Sequence, residues 1–90
     1  MTRKQSEVEA GLVRKGFRET ATHHRYFIYY TEAGLKSRIH TKTSHGGRDL
    51  DDWLLGQMAK QCGVSRKDFL ELVDCPLDRK TYEGKVADRL

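Results

Sequence analysis

Residues 21–42 read Ala21-Thr22-His23-His24-Arg25-Tyr26-Phe27-Ile28-Tyr29-Tyr30-Thr31-Glu32-Ala33-Gly34-Leu35-Lys36-Ser37-Arg38-Ile39-His40-Thr41-Lys42. Aromatic and β-branched residues dominate both halves, and such residues suit a pleated, half-buried surface. The spacing predicts two strands, 24–31 and 35–42, joined by a turn at Thr31-Glu32-Ala33-Gly34 in which Gly34 supplies the positive φ a tight hairpin requires. In the second strand Leu35, Ser37, Ile39 and Thr41 alternate with Lys36, Arg38, His40 and Lys42, so one face points inward and the other is uniformly basic. Alternation does not orient the first strand, because Arg25, Phe27 and Tyr29 and their neighbours His24, Tyr26, Ile28 and Tyr30 both include large apolar groups. With Phe27 and Tyr29 taken inward, His24 and Tyr26 share the face of the basic row.

Working outward, residues 6–15 are expected to form a helix, with Ser6 as cap, Glu7 and Glu9 in the first turn and an apolar stripe of Val8, Leu12 and Val13. Lys15 and Gly16 close it, and Phe17 opens a short strand, 17–20. After the hairpin, Thr43-Ser44-His45-Gly46-Gly47 has loop composition. Asp49 is the expected cap of a helix reaching Cys62, with Leu50, Trp53, Leu54, Met58 and Cys62 as its core stripe. Gly63 stops that helix, and Ser65 caps another through about Asp74, with Asp68 placed to complete a capping box and Phe69, Leu72 and Val73 inward. Pro76 ends the segment. Residues 77–90 are charged and weakly patterned, and read as a tail or a short extra helix following a domain of residues 1–76. The expected fold is a single small α+β domain, with helices on one face of a three-stranded antiparallel sheet and the other face open.

Ninety residues, 37% of them hydrophobic, suffice for one core and no second one. No apolar run approaches the roughly twenty residues of a membrane span. The chain opens Met1-Thr2-Arg3-Lys4 without a signal-peptide pattern, and Cys62 and Cys75 lack metal-ligand spacing, so a reducing cytoplasm is the expected location. The formal charge of +4 is modest, but the charges are segregated. From Gly34 to Arg48 stand Lys36, Arg38, His40, Lys42, His45 and Arg48 with no carboxylate, and Asp49, Asp51 and Asp52 follow at once. Such a row suits a phosphate backbone, and the plainer alternative is an edge strand kept soluble by lysines.

An imidazole titrates near neutrality. It can take a proton from a ribose 2′-hydroxyl or give one to a leaving 5′-oxygen, while nearby cations stabilise the charge that develops on phosphorus. His23, His24, Arg25, Arg38 and His40 are the groups available for those roles, and composition does not choose between His23 and His24. His40 depends on the register across the hairpin. Metal binding is the weaker reading, because adjacent histidines on a strand point to opposite faces and His40 and His45 bring no cysteine partner. The tyrosines Tyr26, Tyr29 and Tyr30 with Phe27 can stack on bases or fill a core, Trp53 reads as core, and Cys62 and Cys75 read as packing. Gly46-Gly47 is no phosphate-binding motif, and no cofactor is called for.

Lys15-Gly16-Phe17, Ala21-Thr22-His23-His24, Thr43-Ser44-His45-Gly46-Gly47, and the stretch from Asp49 through Gly63-Val64-Ser65 to Lys67-Asp68-Phe69 follow one another in an order and spacing that resembles the HicA family of bacterial and archaeal toxins. Ala21-Thr22-His23-His24 falls where that family carries Gly-Ser-His-His or Gly-Ser-Asn-His, and the loop around His45 resembles its Pro-x-His-Pro-Gly. Here Ala21 replaces the glycine, Thr22 keeps the hydroxyl of the serine, and the prolines are missing. The resemblance covers about residues 4–73. It implies a double-stranded-RNA-binding-like fold and a cytoplasmic, metal-independent mRNA endonuclease that works as the toxin of a toxin–antitoxin pair, held inactive by a HicB-type antitoxin. It makes His24 the catalytic residue. The RNA-contacting candidates are then Thr22, His23, Arg25, Lys36, Arg38, His40, Lys42 and His45. The alternative is a module that binds RNA on the same face without cleaving it.

Overall fold

Phe17, Phe27, Tyr29, Ile39 and Thr41 point to one side of a sheet and are buried there, and the rest of the molecule is built against that side. The computed structural model describes residues 2–21, 24–44, 47, 49–74 and 76–90. Thr22, His23, His45, Gly46, Arg48 and Cys75, all named above, therefore lie outside the described residues. In chain order the elements are β1 (Arg3–Lys4), α1 (Gln5–Arg14), β2 (Phe17–Ala21), β3 (Arg25–Tyr30), β4 (Lys36–Thr43), β5 (Asp49–Leu50), α2 (Asp52–Gln61), α3 (Arg66–Asp74) and α4 (Arg79–Lys85), with a final 3₁₀ turn at Ala87–Arg89. The main sheet is antiparallel in the order β2-β3-β4, and the helices pack on one of its faces. The expected α+β architecture is thus the observed one. No helix among the described residues is long and apolar enough to cross a membrane.

The hairpin forms as its turn chemistry dictates. Gly34 has φ +85°, its N–H donates to the Thr31 carbonyl, and the Leu35 N–H donates to Thr31 Oγ1. Arg25 pairs with Thr43, Tyr26 with Lys42, Phe27 with Thr41 and Ile28 with His40, and then the register shifts so that Tyr30 faces Lys36. Ser37 bridges the irregularity, with Oγ donating to the Tyr29 carbonyl and accepting from the Ile39 N–H. The β4 side chains therefore still alternate, with Lys36, Arg38, His40 and Lys42 exposed and Ser37, Ile39, Thr41 and Thr43 buried. Leu35, expected inward, lies before the strand and is 68% exposed, because the turn carries it away from the core.

Helix α1 has no side-chain cap: its cap position is Lys4, and Ser6 falls inside the first turn. The reason is β1, which pairs with β5 and carries the chain straight into the helix. Gly11 lets α1 cross α3 closely, since a Cβ there would come within 2.6 Å of the Val73 carbonyl. Lys15 is buried, and its Nζ donates to the carbonyls of Leu72 and Leu77 at 2.6 and 2.7 Å, satisfying the unpaired end of α3.

The β1–β5 pair also moves the start of the next helix. Asp49 is a strand residue, and Asp51 is the cap, accepting from the Leu54 N–H at 2.9 Å. Buried residues of α2 are Leu55, Met58 and Ala59, continuing to Cys62, so the buried stripe is rotated from the expected one. Trp53, expected in the core, is 69% exposed, and Leu54 is 38% exposed. Ser65 caps α3 as expected, accepting from the Asp68 N–H, whereas the Asp68 carboxylate faces Lys85 and does not close a capping box.

Of the two readings of residues 77–90, the short extra helix is the observed one, α4, and it is packed into the core. Asp78 caps α4 by accepting from the Thr81 N–H, a bond that lowers its carboxyl below the usual range. Leu77, Tyr82 and Val86 are buried in the same cluster as Val8, Phe17 and Phe69. Tyr82 donates to the Cys62 carbonyl, and Tyr29 donates to Glu83. Burial and that second bond push the Tyr29 hydroxyl up to about 12. The boundary expected after residue 76 therefore falls inside one continuous cluster of buried side chains.

Candidate nucleic-acid interface

On the outward face of the main sheet, strand alternation puts Arg18 and Thr20 from β2, Tyr26, Ile28 and Tyr30 from β3, and the four basic residues of β4. No carboxylate occurs among these strand residues, because Glu19, the one acid of β2, points the other way. Arg18 lies over the Tyr30 ring, 4.0 Å from its centroid, a cation–π contact. Arg18 was absent from the sequence-based candidates. Its signal was present in the alternation of β2, which places residue 18 on the side opposite Phe17.

His24 is exposed and immediately precedes β3. Its ring meets Tyr26 edge-on with centroids 6.2 Å apart, and Tyr26 lies 6.2 Å from the ring of His40. The register supplies this arrangement: Tyr26 pairs with Lys42, so His40 is the diagonal neighbour of Tyr26 on the same face. His24, Tyr26 and His40 form a row, flanked by Arg38 and Lys42. His40 Nδ1 is 3.1 Å from the Arg38 carbonyl oxygen. A carbonyl can only accept, so this bond puts the proton on Nδ1 and leaves the lone pair of the neutral ring at Nε2.

Hollows among the described residues adjoin the row. A cavity of about 290 Å³ is lined by Tyr26, Arg38, His40, Thr41, Lys42 and Gln61. Gln61 is held there by a 2.6 Å bond from Thr41 Oγ1, which ties α2 to β4. A second cavity, about 560 Å³, runs from His24 and Lys42 to Trp53 and Leu54 at the start of α2. Lys42 and Gln61 border both. Lys36 stands at the far end of the row, with Tyr26, Ile28, Arg38 and His40 around a further hollow.

Arg25, a sequence-based candidate for RNA contact, is not brought to this face. Its guanidinium lies on the helix side, 2.9 Å from Glu9 Oε1 and 2.7 Å from Glu19 Oε2. Its bond to Glu19, together with the charge of Glu9, raises its pKa above the ordinary arginine value. Glu9 is buried and also accepts from Thr43 Oγ1 and Gln5 Nε2. Arg25 thus anchors the residue next to His24 to α1. Thr22, His23 and His45 lie outside the described residues. Cys62 is fully buried, burial pushes its thiol up, and it is remote in character from any nucleophile. Among the described residues no group of three or more histidine, cysteine, aspartate or glutamate side chains is arranged to hold a metal. Compared with models of protein families, with curated proteins and with solved structures, the chain matches none.

Proposed function

We propose that this chain is a metal-independent endoribonuclease of the HicA type, a toxin that cleaves mRNA in the cytoplasm and is restrained by a HicB-type antitoxin covering the same face. The observation that carries the reading is the row His24, Tyr26, His40 on an open sheet face whose strand residues include cations and no carboxylate. An imidazole takes the proton from a ribose 2′-hydroxyl, the 2′-oxygen attacks the neighbouring phosphorus, and the bond from phosphorus to the 5′-oxygen breaks to leave a 2′,3′-cyclic phosphate. The departing 5′-oxygen receives a proton from a general acid. His24 carries the proton transfer that the family resemblance assigns to it. His40, with Nδ1–H directed to the Arg38 carbonyl and a lone pair at Nε2, is the group that takes the 2′-hydroxyl proton, and His24 is then the acid that gives a proton to the 5′-oxygen. Arg38 and Lys42, exposed beside the row, offset the charge that grows on the phosphoryl oxygens.

His24 is exposed, so His24→Ala should leave the thermal transition unchanged and lower the cleavage rate of a fluorescent RNA by about 10²- to 10⁴-fold. Equal cleavage by the variant would end the proposal. RNA binding by the wild type with no cleavage would replace it by the binding-module reading.

A further inference from the structure

Trp53 is the single tryptophan of the chain, and it is left 69% exposed beside Leu54 on the wall of the cavity that begins at His24 and Lys42. Large aromatic groups are usually covered, and one exposed at a cavity of about 560 Å³ has the size and lining of a small-molecule pocket. The charges sort the two sides of the Lys42 rim. Cations occupy the sheet face, whereas the α2 side carries Asp49 and Asp51, the latter already accepting from the Leu54 N–H. Phosphates are attracted to the first side and repelled from the second. A neutral heterocycle attached to a backbone lying on the cations meets the opposite situation. The indole offers it a stacking face, and Gln57 and Asp49 offer partners for exocyclic amino groups.

We infer that the Trp53 cavity is a base-binding subsite that takes one unstacked nucleobase of single-stranded RNA, next to His24, while the phosphates run along Lys42, His40 and Arg38. The inference rests on the RNA reading above and adds to it that the substrate is single-stranded and held by a base as well as by its backbone. Trp53 then helps to set which phosphate reaches the histidine row.

The unique tryptophan is its own reporter. A 2′-O-methyl octaribonucleotide of mixed sequence, which lacks the 2′-hydroxyl needed for cleavage, is titrated into the full-length protein while tryptophan emission is followed. A second octamer has the same backbone with abasic residues. Saturable quenching is expected with the first and none with the second. Trp53→Ala should weaken octamer binding about tenfold and Trp53→Phe by less than about threefold, both with an unchanged salt slope because no charge is removed. Binding of the octamer without an emission change, equal quenching by the abasic chain, or unaltered affinity of Trp53→Ala would each overturn the inference and leave the backbone-binding face intact. Failure of both octamers to bind would instead remove the RNA reading on which it depends.

Discussion

Arg25 shows how one residue can carry the right chemistry for a site and serve something else. In the sequence it is a cation next to a histidine pair. In the structure it is locked to Glu9 and Glu19 on the helix side, and Glu9 is buried with Thr43 and Gln5 around it. Removing the guanidinium leaves a buried carboxylate short of its charge partner, which costs about 1–3 kcal/mol. Arg25→Ala should therefore lower stability by that amount in urea unfolding and leave the salt slope of RNA binding unchanged. A slope that falls while stability holds would restore Arg25 to the phosphate-binding set. His24, one position earlier, could be separated from His23 in the sequence only by the order of motifs, since alternation along a strand tells that two neighbours diverge and not which one faces the cations.

At the scale of elements, β4 is the part most legible in advance. Its strict alternation needs no partner to be read, and every residue of Lys36, Arg38, His40 and Lys42 is exposed as the pattern requires. The register was not legible, because it depends on where Ser37 bridges the shift opposite Tyr29, a tertiary detail. On the proposed function the exposed cations act as independent charges. Lys42→Ala and Arg38→Ala should each lower the slope of log affinity against log salt by about 0.7 for single-stranded RNA, and by about twice that together. Unchanged slopes would mark the row as a solubilising edge. Helix α2 shows the converse. Its apolar positions admit two stripes, and the one containing Trp53 was excluded only when Leu50 entered β5 and the cap moved to Asp51. The two-residue pairing of β1 with β5 joins segments more than forty positions apart, beyond the reach of any local pattern.

At the scale of the molecule the decisive element is the last one. Leu77, Tyr82 and Val86 are buried in the common core, Leu77 accepts from Lys15, and Glu83 accepts from Tyr29 and from the Glu32 N–H. Arg79 donates to the carbonyls of Tyr30 and Thr31 at the hairpin's end, packed where a side chain on Gly16 would stand. Three buried apolar side chains contribute about 5 kcal/mol, comparable with the whole stability of a small domain. A chain ending at residue 76 should lose its cooperative thermal transition by calorimetry, and a melting temperature within a few degrees of the full chain would contradict this. What the sequence by itself determined was local: the basic face of β4, the hairpin turn at Gly34, the cap at Ser65, and the α+β class that their order implies. These follow from period, turn geometry and hydrogen-bonding chemistry within a few residues. Only the tertiary structure decided that Arg25 turns away from the face, that His40 joins His24 across Tyr26, that Trp53 is exposed, and that residues 77–90 close the core. Each of those depends on which distant surface an apolar or charged group meets, and that free energy is set by burial between segments remote in the chain.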